Sequence, residues 1–273
     1  MSFLYLILLL LAAYIITNLC TYFLQEYFIF RPKTLPSHFQ YEFVDNFEEI
    51  WIETPDKAKI NGLWFKRENP KGLILYFHGN ADNLARWGKH SREFLENGYD
   101  ILMIDYRGFG KSVGKKSEEI FHADAQLAYD FAANHYEKNK IILMGRSMGS
   151  GIASKLAASV QPPLLILETP FYSIIDLFYT YYPFSPRIFW FKYQFRNDIW
   201  LQKVNCPIVI FHGTWDYVVP YVHAKKLNKL LGSKAKLVTL VHGFHKGLGE
   251  FPLYKEALRK VLGEFPKTDF SLN

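Results

Sequence analysis

The sequence predicts an α/β fold: a mostly parallel sheet flanked by helices, preceded by one membrane-spanning helix and carrying a small aromatic-rich cap. Three observations predict it. Short, branched apolar runs alternate with helix-patterned segments at the spacing of βα units. The stretch from Phe3 to Leu24 is apolar almost without interruption. Gly145-Arg146-Ser147-Met148-Gly149 stands where the run Ile141 to Met144 gives way to the small, Ala-rich segment Ser150 to Ala158, as it would where a strand turns sharply into a helix.

Composition narrows the function classes. The chain has 273 residues, 49% of them hydrophobic, enough apolar content for a substantial core. Its net charge of +6 is modest. Lys225, Lys226, Lys229, Lys234 and Lys236 cluster around one predicted helix, where they read as a solvated face, with attraction to acidic lipid heads as the alternative. Basic and aromatic residues are not interleaved as single-stranded nucleic acid would require, so nucleic acid is not an expected partner. Cys20 lies in the first apolar stretch and Cys206 at the head of a core strand, a poor pair for a disulfide. No Cys/His spacing suits zinc, and neither a metal nor an organic cofactor is expected.

The N-terminal stretch from Phe3 to Leu24 is long enough, at about 1.5 Å per residue, for a helix to cross the ~30 Å hydrocarbon core. A cleaved signal peptide is the competing reading. No basic residue precedes Phe3, no small-x-small site follows, and Leu19 stands where a lipoprotein signal needs a small residue. Residues 1–30 are therefore read as an uncleaved anchor with residues 3–24 in the membrane, and Tyr22, Phe23, Tyr27, Phe28 and Phe30 as an interfacial aromatic belt. Arg31 and Lys33, two charges only, predict that the domain beyond them lies on the cytoplasmic side. Pro32 and Pro36 end the helix and mark residues 31–46 as a linker to a domain over residues 47–273.

Within that domain, Glu49 to Thr54 and Lys59 to Lys66 both alternate, which predicts an antiparallel hairpin at a sheet edge. Leu73 to Phe77 is apolar on both faces, as a central strand is, and ends in His78-Gly79-Asn80. A helix is predicted over Leu84 to Glu96 and another over Glu118 to Tyr136. Strands are predicted at Ile101–Ile104, Leu164–Leu167, Pro207–Phe211 and Lys236–Val241, and a last helix at Pro252–Leu262. Residues 171–204 break the alternation. They are crowded with aromatic side chains from Tyr179 to Trp200, with Pro183 and Pro186 interrupting any long helix. This insertion is expected to cap the strand ends, its aromatic surface either walling an apolar pocket or dipping into the membrane.

Chemistry in open parallel sheets sits at the carboxyl ends of strands, and Asn80, Ser147, Asp216 and His245 each follow a predicted strand end. They are expected to converge on one rim. A serine hydroxyl needs an adjacent base to act as a nucleophile at neutral pH; histidine suits that task, and a carboxylate must fix its tautomer. Gly145 and Gly149 are expected to be glycine because a Cβ at either would collide with the neighbouring strand or helix. Gly145, Gly149 and Gly151 do not match the spacing of a dinucleotide loop.

The chain order Ser147, Asp216, His245 is that of the α/β-hydrolases. Together with His78-Gly79-Asn80, Asp105-Tyr106-Arg107-Gly108-Phe109-Gly110-Lys111-Ser112, the Ser147 pentapeptide and His212-Gly213-Thr214-Trp215-Asp216-Tyr217-Val218-Val219-Pro220, it resembles the α/β-hydrolase superfamily, and within it the membrane-anchored serine aminopeptidase-like branch. The resemblance spans about Phe47 to Leu262. It implies an α/β-hydrolase fold, Ser147 as nucleophile, Asp216 as acid, His245 as base, and the backbone N–H groups of Asn80 and Met148 as the oxyanion hole. The sequence departs from the pattern at Gly243-Phe244-His245-Lys246, where relatives carry Gly-His-Asn or Gly-His-Asp. That leaves His242 as a competing base, and Glu168, at the end of the neighbouring strand, as a competing acid. His78 and His212 are expected to bond nearby backbone groups, and Asp105 to stabilise a loop.

The expected activity is hydrolysis of an ester, thioester or amide of a lipid-like or acylated substrate through an acyl-enzyme. Two alternatives share these residues: an acyltransferase using the same triad, and a catalytically silent binding module.

Overall fold

The computed structural model describes residues 3–185 and 187–264; Pro186 and the C-terminal end of the expected 47–273 domain lie outside the described residues. The strands are β1 (Arg31–Pro32), β2 (Phe47–Glu53), β3 (Lys59–Phe65), β4 (Leu73–Phe77), β5 (Ala81–Asp82), β6 (Asp100–Ile104), β7 (Ile141–Arg146), β8 (Leu165–Glu168), β9 (Ile208–Gly213) and β10 (Ala235–Leu240). The α-helices are α1 (Phe3–Ile29), α2 (Leu84–Trp87), α3 (Arg92–Leu95), α4 (Glu118–Ala133), α5 (Met148–Val160), α6 (Ile174–Tyr181), α7 (Asn197–Trp200), α8 (Val222–Leu231) and α9 (Pro252–Glu264).

Eight strands form one sheet in the order β10-β9-β8-β7-β4-β6-β3-β2. From β10 to β6 every neighbour is parallel, and the β2–β3 hairpin adds antiparallel at one edge, as its alternation predicts. Strands covered by helices on both faces must be apolar at every position, and β4 meets that demand by splitting its side chains. Leu73, Leu75 and Phe77 pack with Phe121 and Ala125 of α4 and Ile152 and Ala153 of α5. Ile74 and Tyr76 face the opposite layer with Phe94, Tyr254 and Leu258.

Helix α4 starts where Ser117 accepts the Ile120 N–H at 3.1 Å, with Glu118 and Glu119 in its first turn where negative charge suits the helix dipole. It ends at Ala133, short of the expected Tyr136, whose hydroxyl instead donates to Asp100 at 2.8 Å. The single helix expected over Leu84 to Glu96 is broken into α2, a tight turn over Gly88–His90, and α3. Gly88, in that turn, lies so close to Phe43 that a Cβ there would sit 2.4 Å from its ring.

Helix α1 is continuous from Phe3 to Ile29, and among its residues Asn18 is buried while most apolar side chains are exposed. Its mean hydropathy of 2.3 and its length suffice to cross a bilayer. The chain leaves it directly onto the domain. Strand β1 pairs with β5, the Leu35 N–H donates to the Gly110 carbonyl at 2.7 Å, and Tyr41 donates to Asn61 at 2.8 Å. Phe30 departs from its expected place in the interfacial belt. It is 3% exposed and meets Tyr193 and Phe121 edge-on at 4.7 and 5.5 Å, because the helix ends one residue earlier and turns it into the core.

Residues 171–204 hold α6 and α7. Of their aromatic side chains, Tyr193 and Phe195 are fully buried, Phe195 against Gly151, whereas Tyr182, Phe184 and Trp190 are exposed.

Candidate active site

Ser147 is the single residue between β7 and α5. Its φ of +51° and ψ of −116° lie where a residue with a Cβ is strained, and the strain aims its side chain away from the sheet. The turn is held by the Ser147 N–H donating to the Glu168 carbonyl at 2.9 Å. The flanking glycines are required for the reason expected. A Cβ on Gly145 would lie 2.4 Å from the Gly149 carbonyl oxygen in the helix, and one on Gly149 would lie 2.0 Å from the Phe77 carbonyl oxygen of β4.

Asp216 follows β9. Its Oδ1 accepts the Val218 and Val219 N–H groups, each at 2.8 Å, and its Oδ2 lies 2.8 Å from His245 Nδ1. Burial alone would push its pKa up, but the hydrogen bonds from His212, His245 and the Val219 amide outweigh it and hold the carboxyl well below the usual carboxylate range. Asp216 is therefore charged at neutral pH, and His245 carries its proton on Nδ1. His212, fully buried, has its Nε2 2.8 Å from the Val219 carbonyl and 3.3 Å from Asp216 Oδ2. It braces the turn that presents the carboxylate.

Ser147 and His245 line one cavity of about 200 Å³ together with Gly79, Asn80, Trp87 and Arg146. Among the described residues no hydrogen bond joins the Ser147 hydroxyl to His245, an open arrangement of the kind that tightens when substrate is bound. Met148 opens α5, so its N–H is one of the first-turn donors without an intrahelical acceptor. Asn80 lines the cavity, past the end of β4. Asn80 Nδ2 donates to the Ile29 carbonyl at 2.6 Å, and the Asn80 carbonyl accepts the Arg31 N–H at 2.9 Å.

The loop carrying Asn80 rests on a buried pair. His78 Nδ1 lies 2.7 Å from the Gly79 carbonyl and Nε2 lies 3.1 Å from Asp105 Oδ1. Both ring nitrogens thus face oxygen atoms. Burial raises the Asp105 pKa against the pull of His78. The backbone and loop roles expected of His78, His212 and Asp105 are those observed.

The two competing residues sit elsewhere. His242 is exposed, at a φ of +62°, with its N–H on Thr214 Oγ1 and its ring 4.3 Å from that of Trp215. Glu168 is buried and engaged by Arg146 Nε at 3.2 Å and by the Tyr254 hydroxyl at 3.2 Å. Arg146, which the motif alone does not flag, lines the same cavity. From inside the pentapeptide it reaches Glu168 and, through Nη2, the carbonyl of His245 at 3.1 Å. Glu168 holds its guanidinium above the ordinary arginine pKa despite burial. The available signal was the oddity of a charged residue between a buried strand and a buried helix.

Residues 68–203 match a family model described as serine aminopeptidase, S33. The chain is 32% identical over 209 residues to Protein bem46 of Schizosaccharomyces pombe, an alignment covering 71% of this chain and 69% of that protein. It is likewise 32% identical over 222 residues to Lysophosphatidylserine lipase ABHD12 of Xenopus tropicalis, covering 71% of this chain and 57% of that protein. The chain thus spans little more than half the length of the latter relative. Among solved structures, the esterase Pf2001 of Pyrococcus furiosus superposes with a TM-score of 0.63 at 17% identity, covering 86% of this chain and 97% of that one. Est1E of Butyrivibrio proteoclasticus, with ferulic acid bound, superposes with a TM-score of 0.62 at 20% identity, covering 79% and 97%. These structural neighbours share the fold.

Proposed function

Because the chain belongs to the α/β-hydrolase superfamily as a serine hydrolase, we propose that it cleaves an ester, thioester or amide of a lipid-like substrate through an acyl-enzyme on Ser147. The Ser147 hydroxyl attacks the carbonyl carbon while His245 Nε2 takes its proton; Asp216 keeps the imidazole in the required tautomer and stabilises the imidazolium. The oxyanion so formed is held by the Met148 and Asn80 N–H groups, donors whose loss costs about 10²–10³ in rate each. Collapse expels the alcohol, thiol or amine with the proton returned from His245, and water repeats the sequence to free the acid.

The observation that carries this reading is the Asp216–His245 hydrogen bond of 2.8 Å in a cavity walled by Ser147 at its strained turn. The lipid-like substrate is supported by the exposed aromatic surface of residues 171–204, by the apolar helix α1, and by the lysophospholipid in the name of the Xenopus relative. We place α1 in the membrane as an anchor and, from Arg31 and Lys33 just beyond it, the catalytic domain on the cytoplasmic side.

The test is a hydrolysis screen of p-nitrophenyl esters beside aminoacyl p-nitroanilides, with wild type and Ser147→Ala. Ester cleavage that depends on Ser147 is expected. Cleavage unaffected by Ser147→Ala would remove the mechanism, and a preference for the anilides would replace the substrate class.

A further inference from the structure

Two cavities of different lining are linked through one hydrogen bond, from Asn80 in the wall of one to Ile29 in the wall of the other. The one at Ser147 carries charged groups in its wall, among them Arg86, Arg146, Lys246 and Glu250. The other, of about 400 Å³, lies between α1 and the 171–204 segment and is walled by Leu24 and Phe28 on the helix side and by Phe178, Tyr182 and Phe189 on the other. Its volume falls within the range of small-molecule sites and its lining is almost wholly apolar.

The wall formed by α1 is fixed in place. Tyr14, Asn18 and Gln25 lie four and seven residues apart, on one face of the helix, and they bond the backbone of the aromatic segment. The Tyr14 hydroxyl donates to the Ile188 carbonyl at 3.3 Å, Asn18 Oδ1 accepts the Trp190 N–H at 3.0 Å, and Gln25 bonds the Trp190 carbonyl at 2.7 Å and the Lys192 N–H at 2.8 Å. Glu26 adds an ion pair to Lys192 and accepts the Tyr193 hydroxyl at 2.9 Å. The helix is thereby a built part of the domain.

Both ends of this arrangement touch the candidate active site. Ile29 lines the apolar cavity, and its carbonyl holds the side chain of Asn80, which lines the polar one. Helix α6 and the residue after it turn Phe178 and Tyr182 to the apolar cavity, while the Tyr181 hydroxyl donates to the carbonyl of Tyr217, next to Asp216.

Resting on the hydrolase reading above, we infer that the apolar cavity takes the acyl chain of a single-chain lipid whose ester carbonyl lies at Ser147 and whose polar part occupies the charged cavity. The occupant follows from the walls. One wall is a helix apolar enough to cross a bilayer, so what reaches the cavity along it is hydrocarbon, and an apolar cavity beside a charged one fits a molecule with one tail and one head. The N-terminal helix is then both the tether and half of the substrate site.

The test uses the full chain in phosphatidylcholine nanodiscs and reads the ratio of kcat/KM for p-nitrophenyl laurate to that for p-nitrophenyl butyrate. Leu24→Trp, which fills the cavity, is expected to lower the ratio about tenfold or more, and Phe189→Ala, which enlarges it, to move the preferred ester from laurate towards palmitate. A ratio within about twofold of wild type in both variants, or equal loss of both esters, overturns the assignment. Absence of any Ser147-dependent turnover in wild type would instead fail the hydrolase reading. The cavity is then tested without chemistry by a diazirine-bearing lauric acid: labelling of α1 and α6 that excess lauric acid displaces and Leu24→Trp abolishes supports it, and labelling that neither changes overturns it.

Discussion

Arg146 Nη2 donates to the carbonyl of His245 at 3.1 Å, so the residue just before the proposed nucleophile holds the loop that carries the proposed base. Its Nε meets Glu168 at 3.2 Å, and both side chains are buried. One guanidinium thus ties β7, β8 and the loop after β10 together beneath the cavity.

Arg146→Met is expected to lower kcat about 10²-fold, the cost of a base displaced by an ångström or so. It should also destabilise the protein by about 3–5 kcal/mol, because Glu168 is left charged and buried without its partner. Adding Glu168→Gln should return part of the stability, read by denaturant unfolding, but little of the activity.

Asp216→Asn removes the charge that orients His245 and is expected to lower kcat about 10⁴-fold with the fold retained. It also has a pH signature. The Asp216 pKa is depressed in the folded chain, so its stabilisation is present above the unfolded value of about 3.9 and is lost as pH falls below it towards the folded value. The stability gap between wild type and Asp216→Asn should therefore be full at pH 7 and shrink below about pH 4. A gap that widens on acidification would show that Asp216 is not held as a carboxylate.

His242→Ala should keep kcat/KM within about twofold of wild type, whereas His245→Ala should lose at least about 10³-fold. The comparison assigns the base directly, since the two rings differ by three positions in sequence but only one reaches Asp216.

Gly149→Ala places a Cβ 2.0 Å from the Phe77 carbonyl oxygen. Backbone cannot yield there without moving β4 against α5, so thermal unfolding should show a loss of more than about 2 kcal/mol together with loss of activity.

Much of this was legible in the residues because the signals were local. The strands announced themselves by runs apolar on both faces, and Gly145 and Gly149 by their place around Ser147. What escaped depends on contacts between distant segments. The need for glycine at position 88 comes from Phe43, more than forty positions before it. Phe30 reads as interfacial beside Tyr27 and Phe28, yet a turn after Ile29 delivers it to Phe121 and Tyr193. Asn18 and Gln25 look like blemishes in an apolar helix until the backbone of residues 190 and 192 is found bonded to them. Arg146 cannot be assigned a partner until β8 and the His245 loop are in place.

The central claim is that Ser147 is an activated nucleophile, and covalent capture tests it most directly. The full chain is treated with a fluorophosphonate at neutral pH, digested, and read by mass spectrometry. The account predicts one phosphonylated serine, Ser147, with modification abolished in Ser147→Ala and slowed at least about 10³-fold in His245→Ala. An unmodified Ser147 in folded wild type, or an adduct that survives Ser147→Ala, would contradict it.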